Sequence, residues 1–262
     1  MVRLLALALG ATLLGLSAAP AAAAPPRPAP DDRLQWQLGD LPADLTVDAE
    51  VYDLDLFETT RAEVQALQDD GRFVVCYLSA GSWEPHRPDS ARFPRSIRGL
   101  PINGFEDERW LDIRRWRALF PILEDRLDLC AAKGFDGVEF DNVDGWTNDT
   151  GFALTRHDQF VFLRRLANEA KSRDLSPGLK NALGLIPDLV GHFGWALNEQ
   201  CLQYDECGRY RPFVEAGKAV FIVEYRGPAS AVCGREPRGT SVSLKRLRLD
   251  AQVIRCPFRP AS

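Results

Sequence analysis

Residues 134–145 read GFDGVEFDNVDG and contain four acidic side chains around a short apolar strand. Val138 and Phe140 alternate with Glu139 and Asp141, which is the pattern of a strand with one apolar and one polar side. If the apolar pair faces covering helices, both acids point the other way, and Asp141 lies where the strand ends. Enzymes built on a barrel carry their chemistry at such strand ends. The alternative, in which the acids only cap the next helix or face solvent, is weakened because other strands end in the same manner.

Seven further segments have the composition of strands, and most of them also end in polar residues. Residues 73–78 read FVVCYL, a nearly continuous apolar run that is typical of a strand buried on both faces. The segment 47–56 alternates, with Val51, Asp53 and Asp55 on one side. The other predicted strands are 34–38, 179–181, 195–200, 220–225 and 241–244.

Helical segments alternate with these strands. Thr60 and Glu63 form a capping box for a short helix, and Thr155 caps a later one. Residues 112–133 have the period of a helix, and Pro121 is expected to break or kink this segment. Strands that alternate with helices imply a parallel sheet. Eight strands, with no GxGxxG after the first, favour an α/β fold of the single (β/α)8 TIM barrel type over a Rossmann sheet.

The amino-terminal residues have the composition of a secretory signal. Arg3 precedes the apolar run LLALALGATLLGLSAA, and small residues follow. The run is too short and too rich in Ala for a comfortable membrane span. We therefore expect a signal peptide at 1–24, a stiff Pro-rich linker at 25–32 and one (β/α)8 domain at 33–262. The expected product is a secreted, extracellular monomer whose mature form has no membrane span.

The charge of the chain limits its partners. The net charge of −5 becomes −6 when the signal and its single Arg are removed. An acidic chain lacks the basic stripe that nucleic-acid binding requires, so we expect no nucleic-acid partner. An acidic cleft instead suits a cationic or neutral ligand.

The cysteine and histidine content bears on disulfides and metals. An even number of cysteines, six, in an exported chain predicts disulfides. Proximity favours the pairs Cys201–Cys207 and Cys233–Cys256, which leaves Cys76 and Cys130 either bonded to each other or as two buried thiols. The chain has only three His, no HExxH and no paired CxxC. We therefore expect no metal site and no cofactor.

Polar residues at the strand ends are the candidate functional residues. In a barrel they converge at one mouth although they are far apart in sequence. Two facing carboxylates are the equipment for glycoside hydrolysis, because one can protonate the leaving oxygen while the other attacks the anomeric carbon or activates water. The strand-end residues are Asp53, Asp55, Ser79, Asp141, Lys180, Asn181, Asn198, Glu199 and Glu224.

Aromatic residues supply candidate platforms for the faces of sugar rings. Trp83 and Trp146 lie in polar loops, where a binding role is plausible. For Trp110, Trp116 and Trp195 we expect a place in the core. The candidate platforms are Trp36, Trp83, Trp146, Tyr204 and Tyr225.

Several motifs together match one known family. They are CYLSAGSWE at 76–84, KGFDGVEFDNVDGW at 133–146, GLKN at 178–181, NEQCLQYDEC at 198–207 and AGKAVFIVEY at 216–225. With this set the chain resembles the endo-α-1,4-polygalactosaminidases, glycoside hydrolase family 114. The resemblance covers nearly all of the mature chain. It implies a secreted (β/α)8 barrel that acts on galactosamine-containing polysaccharide.

The resemblance also implies roles for individual residues. The Asp of the DN pair, Asp141, and the Glu of NEQC, Glu199, would be the catalytic carboxylates, with Asp141 as nucleophile and Glu199 as general acid and base. We expect retention of configuration, and inversion stays open as the alternative. Relatives tend to have Asp-Pro-Asp-Asn where residues 139–142 read EFDN, which puts a fine role for Glu139 in doubt. Lys180 would hold one carboxylate ionised. The expected substrate-binding residues are Trp36, Asp53, Asp55, Ser79, Trp83, Glu139, Asn142, Asp144, Lys180, Asn198, Tyr204 and Glu224.

Two other classes of function stay open at this point. The chain could be a catalytically silent barrel that only binds polysaccharide, since folds outlive their chemistry. Intact motifs around Asp141 and Glu199 argue against this alternative. A hydrolase of another class, such as an esterase, is disfavoured because the chain has no GxSxG motif and its three His suggest no Ser–His pair.

Overall fold

The computed structural model describes residues 24–39 and 45–261, so nearly all of the predicted signal peptide lies outside the described residues. The strands in the described part are β1 (Leu34–Gln37), β2 (Val51–Asp55), β3 (Phe73–Ser79), β4 (Ser82–Trp83), β5 (Arg98–Ile102), β6 (Phe105–Leu111), β7 (Gly137–Asp141), β8 (Ser176–Lys180), β9 (Trp195–Glu199), β10 (Val220–Glu224), β11 (Ser241–Lys245) and β12 (Val253–Arg255). The α-helices there are α1 (Arg61–Asp69), α2 (Trp116–Lys133), α3 (Arg156–Lys171), α4 (Ile186–Leu189), α5 (Arg211–Glu215) and α6 (Ala229–Val232).

The main sheet is a nearly closed barrel, which confirms the predicted TIM-barrel fold. Its strands are ordered β1-β2-β3-β7-β8-β9-β10-β11-β12. Neighbours from β1 to β11 pair in parallel, whereas β12 runs antiparallel to β11. The backbone N–H groups of Leu38 and Gly39 donate to Leu249 O at 3.1 and 3.2 Å, so β1 meets the segment that follows β11. All parallel strands therefore end at one mouth.

Alternating side chains on these strands build two separate apolar layers. Val138 and Phe140 belong to the larger core beneath the helices, as their alternation with the acids predicts. Trp36, Val51 and Tyr77 belong to a smaller core inside the barrel. Because successive side chains of a strand point to opposite faces, the acids of the opening stretch point into the barrel.

The helix signals in the sequence are mostly confirmed. Thr60 and Glu63 form the predicted capping box of α1, and Thr155 caps α3 with Asp158. The predicted break at Pro121 is wrong, because α2 continues through it. The flanking residues 119, 120, 122 and 123 are buried in the core, and this packing compensates for the one backbone donor that proline lacks.

Other corrections concern where elements begin. The helix predicted from residue 112 begins at Trp116, which lies in its first turn and is 45% exposed, so its predicted place in the core is wrong. The strand predicted from residue 47 begins at Val51. β8 begins earlier than predicted and contains Pro177, which is tolerated because β9 first pairs opposite Gly178.

A second, three-stranded antiparallel sheet was not predicted. It has the order β4-β6-β5 and lies between β3 and α2 in the chain.

Three disulfides tie the structure together, and they include the Cys76–Cys130 pair that the sequence left open. The pairs Cys201–Cys207 and Cys233–Cys256 are confirmed. No helix within the described residues has the length and apolar character needed to cross a membrane.

Candidate active site

Neighbouring strands bring one lysine and three carboxylates together at the mouth of the barrel. Lys180, the last residue of β8, donates through Nζ to Glu139 Oε1 at 3.0 Å and to Asp141 Oδ1 at 2.9 Å. The same nitrogen lies 3.0 Å from Glu199 Oε2 at the end of β9. Its side chain is only 1% exposed, so these ion pairs are poorly screened by water. One buried ammonium thus joins three acids from two flanking strands.

Asp141 is held in the ionised form. Tyr77 donates to its Oδ2 at 2.9 Å, and Lys180 holds its Oδ1. Burial raises the pKa of Asp141, but the charge and hydrogen bond of Lys180, with help from the Asn142 backbone and Tyr77, outweigh burial and lower it. An ionised carboxylate at the mouth of a barrel can act as a nucleophile or a general base.

Glu199 is positioned by its backbone as well as its side chain. Its N–H donates to Asn181 Oδ1 at 3.0 Å, and the same oxygen accepts from Asn198 Nδ2 at 3.2 Å. The Tyr225 hydroxyl donates to Glu199 Oε1, so Tyr225 also acts as a hydrogen-bond donor beside its expected role as a sugar platform. The Glu199 side chain is 25% exposed, which leaves it accessible to a ligand.

The backbone turns sharply where these strands end. Asn142, Asn181 and Gln200, which follow β7, β8 and β9, have φ of 59°, 45° and 67°. Asn tolerates this left-handed region, whereas Gln rarely adopts it. At the neighbouring strand, a Cβ on Gly81 would meet the Asn142 carbonyl oxygen at 1.7 Å, so only glycine fits there. Unusual backbone conformations of this kind cluster at functional sites.

A cleft of about 880 Å³ opens above this cluster. The antiparallel sheet supplies one wall through Ile102 and Phe105, and residues 247–249 line it as well. Three side chains at its edge are largely exposed: Phe105 at 56%, Tyr204 at 61% and Leu247 at 69%. The predicted site residues that line the cleft are Trp36, Asp141, Asn142, Asp144, Lys180, Asn198, Glu199, Tyr204 and Tyr225.

Several predicted site residues do not line the cleft, and the expectation of substrate contact is corrected for them. Asp53 and Glu139 are fully buried beneath the mouth. Asp55 pairs with Arg87 at 2.7 Å and accepts the N–H of Phe57, so it holds its own loop. The corrected set is Asp53, Asp55, Ser79, Trp83, Trp146, Glu139 and Glu224.

The remaining members of that set also have structural partners. Ser79 Oγ lies 2.6 Å from Ser82 Oγ and accepts from Asn142 Nδ2 at 3.0 Å. Trp83 donates to the carbonyl of Ser90, and the Arg98 guanidinium lies 4.0 Å from its ring centre. Glu224 Oε1 accepts the N–H of Leu202 at 2.7 Å, which steadies the loop after Glu199. Trp146 packs against the core beneath the helices.

Sequence analysis missed some residues of the cleft. Tyr77 looked like core because the run 73–78 is apolar throughout, although it shares a strand side with Ser79. Phe105 belongs to the unpredicted sheet, and no pattern indicated Leu247. Within the described ranges, no group of three or more His, Cys, Asp or Glu has an arrangement that could hold a metal ion.

The fold and the site together define a class of protein. A (β/α)8 barrel with ionisable carboxylates paired across its mouth is the construction of a glycoside hydrolase. The sequence profile of glycoside-hydrolase family GH114 matches residues 15–259. The chain therefore belongs to family GH114, and the predicted family is confirmed.

Two solved structures and one sequence relative are similar to this chain. Ega3 from Aspergillus fumigatus, solved in complex with galactosamine, is similar with a TM-score of 0.86 and 38% identity over 91% of this chain and 100% of that chain. The glycoside hydrolase domain of PelA from Pseudomonas aeruginosa, with a TM-score of 0.63 and 16% identity over 85% of this chain and 96% of that one, shares the fold. An uncharacterized protein from Deinococcus radiodurans is 27% identical over 208 residues, which are 70% of this chain but 65% of that relative's length.

Proposed function

We propose that this chain is a secreted glycoside hydrolase that cleaves α-1,4-linked galactosamine-containing polysaccharide with Asp141 and Glu199. The observation that carries the proposal is the position of Lys180 Nζ, 2.9 Å from Asp141 Oδ1 and 3.0 Å from Glu199 Oε2. Asp141 ends β7 and Glu199 ends β9, the two strands that flank β8, and both acids line the cleft. Asp141, whose pKa is lowered, is the nucleophile, and Glu199 is the general acid and base.

The spacing of the two acids supports retention of configuration. Because both oxygens contact the same nitrogen, they are no more than about 5.9 Å apart, the sum of the 2.9 and 3.0 Å distances. Retaining enzymes separate their carboxyl groups by about 5–5.5 Å, whereas inverting enzymes need about 6.5–9.5 Å to admit a water. The bound on these two oxygens lies below the range of inverting pairs. Asp141 would therefore attack the anomeric carbon while Glu199 protonates the leaving oxygen, and Glu199 would then deprotonate the water that releases the sugar.

The charge of the cleft supports a cationic substrate. Asp144, Asp149 and Glu206 line the cleft in addition to the two catalytic acids. Burial raises the pKa of Asp144 to about 6, so its carboxylate is ionised above that pH. The amino groups of deacetylated galactosamine carry positive charge at neutral pH and suit such a cleft. The galactosamine in the Ega3 structure supports the same choice of sugar.

Secretion is supported by the disulfides and by the leader-like residues 1–24. Three disulfides lie within the described residues. Disulfides form and persist in oxidising compartments and are rare in the cytosol of mesophiles. We therefore place the protein outside the cell.

Digestion of polygalactosamine by matched variants tests this function. We expect the wild type to release shorter chains whose new reducing ends have the α configuration when observed early by NMR. Asp141→Asn should be inactive because the nucleophile is lost. Glu199→Gln should lose about 10²–10⁴-fold and be rescued on a substrate with an acidic leaving group, which needs no protonation. The exposed Asp107→Asn, outside the cleft, is the control.

Two outcomes would overturn the proposal. Near-normal activity in folded Asp141→Asn or Glu199→Gln would mean that other residues carry the chemistry. Binding of the polymer by the wild type without any cleavage would identify the chain as the silent polysaccharide-binding barrel. Products with the β configuration would leave the hydrolase in place but replace retention by inversion.

A further inference from the structure

Two carboxyl groups beneath the mouth have no role in the proposed reaction. Asp53 on β2 and Glu139 on β7 are both 0% exposed, and neither lines the cleft. Glu139 Oε1 accepts from Lys180 Nζ at 3.0 Å. Within the described residues, no N–H or O–H group donates a hydrogen bond to Glu139 Oε2 or to either carboxylate oxygen of Asp53. Buried polar atoms without partners are costly, so this arrangement requires an explanation.

A shared proton explains it. The Asp53 and Glu139 carboxyl groups are within hydrogen-bonding reach of each other. Two ionised carboxylates would repel each other strongly at a fully buried site, whereas one proton turns the same contact into a hydrogen bond. The pair is therefore a carboxylic acid bonded to a carboxylate.

The surroundings decide which group holds the proton. Burial raises the pKa of Asp53 well above its usual range, and the charge of Glu139 adds to this. Burial also raises the pKa of Glu139, to about 7, but Lys180 opposes the rise. Asp53 is thus the donor and Glu139 the ionised acceptor. The titratable groups that face the pair are Tyr77 on β3, Asp141 on β7, Lys180 on β8 and Glu199 on β9.

We propose that Asp53 is a protonated acid that donates to Glu139, and that the pair is a positioning device that holds the Lys180 ammonium between Asp141 and Glu199. The geometry supports a chain of contacts from Asp53 to Glu139 Oε2, from Glu139 Oε1 to Lys180 Nζ, and from Nζ to the two mouth acids. Trp36 adds a cation–π contact to the ammonium, because Lys180 Nζ lies 4.4 Å from its ring centre. This inference rests on the proposed function for the roles of Asp141 and Glu199.

The negative charge of Glu139 is the part of this device that affects the ionisation of the two mouth acids. One negative charge beside Lys180 offsets its positive charge. Without that offset, Lys180 would act more strongly on the mouth acids and favour their ionised forms. Asp53 contributes indirectly, because its O–H lets Glu139 stay charged at a fully buried site.

Substitutions that keep shape but change charge test the device. In Asp53→Asn, the amide N–H₂ replaces the O–H as donor, so we expect the pH profile of kcat/KM to match the wild type. In Glu139→Gln the charge beside Lys180 is lost, and both limbs of the profile should move to lower pH by about 1 unit. In Asp53→Leu the donor is lost, so Glu139 should take up a proton and the profile should shift as in Glu139→Gln. A purely structural role would lower stability in all three without this pattern.

Infrared spectroscopy detects the protonated carboxylic acid directly and does not depend on a measurement of activity. At pH 8 the wild type should show the carbonyl band of a protonated carboxylic acid, and Asp53→Asn should lose it. A profile that shifts in Asp53→Asn but not in Glu139→Gln would place the proton on Glu139 and overturn the assignment, as would an absent band. If Asp141→Asn proved active, the proposed function would fail, yet the infrared result would still decide where the proton lies.

Discussion

At the scale of single residues, the Lys180 ammonium is the cation that the acids of the mouth surround. It lies within 3.0 Å of oxygens from Glu139, Asp141 and Glu199. Burial lowers the pKa of Lys180, but the three carboxylates raise it well above its usual range, so the group stays charged at any working pH. A tethered cation on β8 thus does the electrostatic work that a bound ion does in other acid-rich sites.

This position predicts that hydrolysis does not depend on an added metal. A divalent ion would have to displace a buried ammonium from its three carboxylates, and like charges repel at this distance. Activity on polygalactosamine should therefore survive exhaustive dialysis against EDTA. The measurement is the initial rate before and after chelation, with metal content checked in the same sample. Loss of activity that one divalent ion restores would contradict the prediction and assign the acids to a metal site.

At the scale of elements, the loop after β9 carries Glu199 and is held at several points. The Cys201–Cys207 disulfide closes it, Asn198 Oδ1 accepts the Cys201 N–H at 2.8 Å, and Glu224 accepts the Leu202 N–H at 2.7 Å. These contacts follow directly on Glu199, the proposed general acid and base. The loop therefore determines how precisely Glu199 faces its partners, and Cys201, Leu202 and Cys207 anchor it in the core beneath the helices.

Removal of two different disulfides separates these effects. Replacing Cys201 and Cys207 by Ser should lower kcat, because Glu199 is less well positioned, and cost about 2 kcal/mol of stability for so short a loop. Cys233 and Cys256 close a longer loop that includes the cleft residues 247–249 but neither of the proposed catalytic acids, so replacing them should cost about 3 kcal/mol and lower kcat less. Urea unfolding and steady-state kinetics on both variants provide the comparison. Equal kcat in the two variants would argue against a positioning role for the first disulfide.

The strands also explain which parts of the fold and of the site could be predicted from the sequence. Period-2 alternation found the parallel strands, and the strand-end rule found Asp141, Lys180 and Glu199. The strand-end rule could not show how deep a side chain lies in the barrel. Asp53 and Glu139 stand two residues before their strand ends, about 6–7 Å lower along the strand, and this places them below the cleft. The sheet of β4, β5 and β6 escaped because β6 reads FEDERWL, a largely charged segment without an apolar alternation. That sheet supplies a cleft wall, so part of the site was missed with it.

At the scale of the whole molecule, buried acids set how stability depends on pH. Asp53 keeps its proton in the folded chain, as argued above, and releases it on unfolding above pH 4. Burial also raises the pKa of Glu108 and of Glu139 to about 7 and of Asp144 to about 6. A group whose folded pKa is raised stabilises the fold at low pH, and this stability is lost as the pH rises through the folded value. His192, whose pKa burial lowers, acts in the opposite direction between its folded and unfolded values.

The four acids outnumber this one histidine, so the thermal midpoint should fall as the pH rises from 5 to 8. A group that stays protonated only in the folded state contributes about 1.4 kcal/mol per pH unit, and Asp53 acts over the whole range. Glu108 accepts from Ser82 Oγ at 2.9 Å through Oε2, and Gln can accept there with its amide oxygen, so Glu108→Gln should keep the contact and reduce the slope between pH 6 and 8. Glu106→Gln, an exposed position on the same strand, is the matched control and should keep the wild-type slope. Scanning calorimetry at fixed ionic strength measures the three curves, and a wild-type midpoint that rises between pH 5 and 8 would contradict the burial of these protonated acids.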